Sequence, residues 1–151
     1  MTTPFQLTVD YAGPDYGAQV TFWALALGYV PAPAPEGSAT WTEYYLKVGV
    51  PEQELAEGDG CDRLVDPAGV GPPIWFQPVP EGKTVQNRLH LDLLVGGGRT
   101  VPLAERRRRV EEKVAPLLAA GATVTTTLDD VANDYFAVVL QDPSGNEFCV
   151  V

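Results

Sequence analysis

Asn87-Arg88-Leu89-His90-Leu91-Asp92-Leu93-Leu94-Val95 is the stretch whose reading decides the fold of this 151-residue chain. It holds the only histidine. Leu89, Leu91 and Leu93 fall on one parity, and His90 and Asp92 fall on the other. Period-two alternation is the pattern of a strand with one aliphatic and one polar face. On this strand alone, His90 and Asp92 are simply a polar pair facing away from the core. Their weight comes from a second copy of the pattern. Leu7-Thr8-Val9-Asp10, within an alternating stretch over residues 5–11, parallels Leu89-His90-Leu91-Asp92. The turn Asp66-Pro67-Ala68-Gly69 recurs as Asp142-Pro143-Ser144-Gly145. Two matches at similar offsets, with the same order of elements between them, point to an internal duplication.

Working outward, the first copy begins with that strand and the turn Ala12-Gly13-Pro14. Asp15 is placed to cap a helix whose apolar stripe is Val20, Trp23, Ala24 and Leu27. Gly28 suits its end. Tyr29-Val30 opens a second strand, which Pro31, Pro33 and Pro35 then break. Residues 38–60 read as a helical insertion over the main body. Trp41, Tyr44 or Tyr45, and Val48 share one face of a short helix there, and Pro51 suits the first turn of another. The insertion's aromatics either line a pocket, with the insertion as its lid, or pack it onto the sheet. Residues 63–66 and 74–79 are strands. In the second copy, Gly96-Gly97-Gly98 follows the central strand. Leu103, Val110, Val114, Leu117 and Leu118 mark a helix that Pro116 is expected to interrupt. Residues 123–128, 135–141 and 147–151 complete the strands. The expected architecture is α+β: one domain of two βαβββ modules, over residues 1–84 and 85–151, whose strands pair into a curved, cup-like mixed sheet with helices outside.

Composition limits the function. A net charge of −10 leaves no basic surplus to neutralise phosphates, so nucleic acid is not the expected partner. The run Arg106 to Arg109 is flanked by Glu105, Glu111 and Glu112, as on a solvated helix face. No apolar run is long enough for a bilayer and no signal-peptide pattern opens the chain, so no membrane association and a cytoplasmic location are expected. Cys61 and Cys149 form neither a disulfide framework nor a CxxC pair. Cys149, with no basic neighbour in sequence, reads as a small buried filler.

Several segments together carry a family resemblance: Thr8-Val9-Asp10, Phe22-Trp23, Leu64-Val65-Asp66-Pro67, Phe76-Gln77-Pro78-Val79-Pro80-Glu81-Gly82-Lys83, Arg88 to Leu93, and Asp142-Pro143-Ser144-Gly145-Asn146-Glu147-Phe148. In these the chain resembles the vicinal oxygen chelate superfamily, the glyoxalase, bleomycin-resistance and extradiol dioxygenase group. The resemblance implies a cup with metal ligands on the first and last strands of each module, and a homodimer. Carried over, His90 and Glu147 match ligand positions in the second module. Gln6 or Thr8 matches the first-module position, depending on the anchor. The fourth position falls near Trp75, where nothing anionic stands; Gln77 shares its face. Iron chemistry of the extradiol kind needs two histidines and a carboxylate, which a single-histidine chain lacks.

Two readings follow. One is a metal-free small-molecule-binding protein holding an aromatic or cationic ligand in an apolar cup, with Gln6, Thr8, Trp41, Trp75, Gln77, His90 and Asp92 as candidate contacts. The other is a glyoxalase-type lyase or isomerase. There His90, Glu147 and Gln6 would hold a divalent ion (zinc, nickel or manganese) and Glu147 would act as the base. The missing carboxylate at the fourth position favours the first reading.

Overall fold

A computed structural model describes residues 1–13, 16–55 and 59–151. The expected cap at Asp15 lies outside these residues. The first module runs β1 (Leu7–Tyr11), α1 (Tyr16–Leu27), β2 (Val30–Pro31), α2 (Trp41–Lys47), β3 (Arg63–Val65) and β4 (Ile74–Pro78). The second runs β5 (Asp92–Leu93), α3 (Leu103–Ala119), β6 (Thr123–Asp130), β7 (Tyr135–Gln141) and β8 (Glu147–Val150). Two four-stranded sheets result, ordered β1-β4-β3-β2 and β5-β8-β7-β6. In each, the first strand runs parallel to the last, and the other neighbours are antiparallel. The chain is therefore α+β, built from two modules of the same order.

Local chemistry accounts for most boundaries. Gly28 ends α1 with φ +72°, where a side chain would be strained, and its N–H returns to the Ala24 carbonyl. Pro31 sits in β2 because β2 is an edge strand, where a missing N–H breaks no interior ladder. Thr40 caps α2 by accepting from the Glu43 N–H at 3.0 Å. Of the two aspartates in the repeated turns, Asp66 accepts from the backbone of Ala68, Val70 and Gly71, and Asp142 from that of Ser144 and Asn146.

Three expectations are corrected. The central stretch is not a nine-residue strand: only Asp92–Leu93 is, with the Cys149 N–H also reaching the Leu91 carbonyl. Before that point the ladder is replaced by side chains. The Asn87 N–H goes to the Glu147 carboxylate, and its amide goes to the Glu147 carbonyl. Leu89 is accordingly exposed rather than in the core. Next, α3 continues through Pro116, because the freed carbonyl at Glu112 is on an exposed turn open to water. Finally, the arginine run is not merely a solvated face. Arg106 is buried, donating to the Val101 and Asp134 carbonyls and to the Asp134 carboxylate, while Arg107 pairs with Asp129 on β6.

The two modules share one core within one chain. Phe22 and Trp23 of α1 meet Phe148 of β8 edge-on, at 5.7 and 5.1 Å between centroids. Phe76, Leu64, Leu117, Leu140 and Val150 are fully buried in the same cluster. At the seam, the buried Asp142 accepts from the Trp23 indole at 3.0 Å. With its amide oriented so that both ends are satisfied, Gln19 also donates to Asp142 (3.0 Å) and accepts from the Ser144 N–H (2.9 Å).

Candidate functional site

Pairing the modules leaves a cavity of about 530 Å³ between β1, the segment joining β4 to β5, and the start of β8. Val9, Tyr11, Trp23, Val79, Leu89 and Leu91 supply apolar walls. Asp10, Glu81, Lys83, His90 and Glu147 bring charge or an imidazole to the same space, with Thr8 beside them. The joining segment lies over the cavity because Lys83 holds it down. Its ammonium donates to both Glu147 oxygens, at 2.9 and 3.2 Å, and also to the Val85 carbonyl. The Asn87 N–H adds a third bond to Glu147 at 3.1 Å. Burial pushes the Glu147 carboxyl up, but these bonds from Lys83 and Asn87 outweigh it and hold its pKa below the ordinary value.

His90 and Asp92 are a pair, with Nε2 3.3 Å from a carboxylate oxygen and both side chains about half exposed. Asp92 stands opposite Cys149 in the β5–β8 register. Burial pushes the Cys149 thiol up, and the Asp92 carboxylate beside it adds to that. Cys149 is thus only half-buried and polar in its surroundings, not a core filler.

The first sheet carries a separate cluster. Trp41 of the insertion is buried, stacks with Tyr44 and Tyr45, and donates to the Ala32 carbonyl at 2.8 Å. The Arg63 guanidinium lies 5.2 Å from the Trp41 ring and 5.7 Å from the Trp75 ring. Asp62 gathers the polar ends, accepting from the Tyr45 hydroxyl at 2.9 Å and the Trp75 indole at 2.8 Å. Burial and the Asp62 charge push the Tyr45 phenol up to about 12. The insertion is packed onto the sheet here. Trp41, Trp75, Gln77 and Gln6 are not among the residues lining the cavity, whereas Thr8, His90 and Glu147 are.

The donor set expected for a divalent ion, Gln6, His90 and Glu147, does not fit a hard cation in this arrangement. The Glu147 oxygens already accept from the Lys83 ammonium and the Asn87 N–H. Gln6 is exposed and precedes β1. At the fourth position the Trp75 indole is a donor turned to Asp62, with no lone pair for a metal. The residues the sequence reading missed are Lys83, Asn87 and Asp142. Lys83 belongs to the Phe76-to-Lys83 run already singled out, which was its one available signal.

A model of the glyoxalase-like domain matches residues 6–151. No curated protein matches. Solved structures share the fold at low identity. A glyoxalase/bleomycin resistance protein/dioxygenase family enzyme from Burkholderia phytofirmans PsJN aligns with a TM-score of 0.54 at 16% identity, over 95% of this chain and 94% of that one. The hypothetical protein SA1046 from S. aureus aligns at 0.57 and 12% identity, over 99% and 93%. The fosfomycin resistance protein FosX from Listeria monocytogenes, complexed with Mn(II) and 1S,2S-dihydroxypropylphosphonic acid, aligns at 0.54 and 9% identity, over 99% and 90%. With the family model spanning both modules and their shared core, the chain belongs to the glyoxalase-like domain family.

Proposed function

We propose that this protein binds a small cationic molecule with an apolar or aromatic body in the cavity between its modules, without needing a metal to do so. The observation that carries this is the charge of the lining. Asp10, Glu81 and Glu147 face the space with Lys83 as the one basic side chain among the lining residues. Lys83 is spent on Glu147, which leaves the carboxylates of Asp10 and Glu81 uncompensated beside apolar walls. The volume falls within the range of ordinary small-molecule pockets. Tyr11 and Trp23 are buried behind the cavity wall, with the Trp23 indole satisfied by Asp142, so the apolar surface open to a ligand is that of Val79, Leu89 and Leu91.

The test uses matched planar dyes, one cationic and one anionic, followed by tryptophan quenching and equilibrium dialysis. The cationic dye should bind one per chain. Asp10→Asn with Glu81→Gln should weaken it by roughly two- to tenfold, the combined size of two exposed charge contacts, and should not weaken the anionic dye. Equal affinity for both dyes, or an unchanged double variant, rejects the reading. Homodimerisation is part of the same proposal and rests on the family. Light scattering at high micromolar concentration checks it, and a monomer there counts against it.

A further inference from the structure

One cluster outside the ligand argument combines three different donor types. Asp92 and Cys149 are direct partners across the parallel β5–β8 pair, and His90 precedes Asp92 by two residues on the same side. One ligand atom from each, an imidazole nitrogen, a carboxylate oxygen and the Cys149 Sγ, lie within 4.8 Å of one another. A tetrahedral site with metal–ligand bonds of about 2.0–2.3 Å sets its donors roughly 3.5 Å apart. Closing this cluster around an ion therefore needs side-chain shifts of about 1 Å or so. Those shifts are accessible, because His90 and Asp92 are half exposed and hold no core packing. Three protein donors with one position left free is the arrangement of zinc sites that exchange ligands.

We propose that His90, Asp92 and Cys149 form a site for one thiophilic divalent cation of the zinc type, at the rim of the cavity that His90 lines. A carboxylate and a thiolate together match the charge of a divalent ion, and sulfur selects zinc or cobalt over magnesium or manganese. This set keeps His90 but uses neither Glu147 nor Gln6, so it is compatible with the Lys83–Glu147 contact staying closed. The free coordination position is where a donor atom of a bound molecule, or water, would complete the shell.

Cobalt(II) is the probe, because ligation by sulfur gives a thiolate-to-metal absorption band in the near ultraviolet that oxygen and nitrogen donors do not give. Chelator-treated protein should take up one equivalent of Co²⁺ with that band, and Zn²⁺ should displace it. Cys149→Ser should abolish the band while circular dichroism stays unchanged. His90→Ala and Asp92→Asn should each weaken uptake by roughly tenfold or more, as loss of a ligand does. Cys61→Ser and Glu147→Gln should leave both band and affinity intact. The proposal is overturned by absence of stoichiometric Co²⁺ uptake, by a band that survives Cys149→Ser, or by uptake lost in Glu147→Gln but kept in Cys149→Ser. Because the readout is sulfur ligation by the metal alone, it is independent of whether the cavity binds cationic dyes.

Discussion

Glu147 stays charged because two bonds from Lys83 and one from the Asn87 backbone together outweigh its burial. Its folded pKa is therefore below the unfolded one. A group of this kind stabilises the fold fully above its unfolded pKa, and that contribution is lost as pH falls through the folded value. The Lys83–Glu147 contact should thus act in full above about pH 4.5, the ordinary carboxylate range, and fade in acid. Urea midpoints between pH 7 and pH 3 check this. The native protein should lose stability on acidification, and Glu147→Gln should show a flatter profile over the same window. Parallel profiles would remove the electrostatic role. His90 illustrates the other side of residue-scale reasoning. Its pairing with Asp92, two residues along the chain, was the plain local expectation, and it is the one observed.

Among the elements, the insertion and β6 show how context overrides pattern. The insertion's aromatic helix was open to two uses, and its contacts settle on packing. Trp41 is buried over Arg63 and bonded to Ala32, and Tyr45 reaches Asp62. Trp41→Ala should therefore cost roughly 3–5 kcal/mol in chemical denaturation, as removal of a large buried ring does. It should leave dye binding in the cavity within about twofold, the scatter expected of a site it does not touch. Lost binding with unchanged stability would instead restore the lid role. In β6 every residue is exposed, yet the strand pairs antiparallel with β7 from Thr123 to Asp130, skipping only Thr125. Its bulge between Val124 and Thr126 and the Asp129–Arg107 pair at its far end are the features that keep a long edge strand from pairing indiscriminately.

At the scale of the whole molecule, the cavity exists only because the modules stay docked, and Asp142 concentrates that docking. It holds the Trp23 indole from the first module while closing its own turn through Ser144 and Asn146, and Asn146 in turn donates to the Asp10 carbonyl at 2.9 Å. Asp142→Ala leaves a buried indole N–H and the Gln19 amide without their acceptor. It should destabilise the protein by about 3 kcal/mol or more and lower dye affinity in the same step. The equivalent Asp66→Ala, whose partners are only the backbone N–H groups of its own turn, should cost clearly less. Thermal unfolding of the two variants side by side checks the contrast; equal losses would deny Asp142 its joining role.

The sequence by itself determined the α+β class and the repeated order of elements, because alternation, glycine and proline act over a few residues. Of the residues that parity placed on one face, Leu91 and Leu93 lie against the core while Leu89 does not, and Gly28 ends a helix as its position suggested. It did not determine which polar groups meet. Lys83 and Glu147 are 64 residues apart, and Trp23 and Asp142 are 119 apart. No local period carries information over such separations. The shortening of the central strand has the same origin: whether residues 87–91 pair as a ladder depends on what the Glu147 carboxylate finds across the seam. The cavity, its surplus of negative charge, and the approach of Cys149 to His90 and Asp92 were decided only when two similar modules closed on one core.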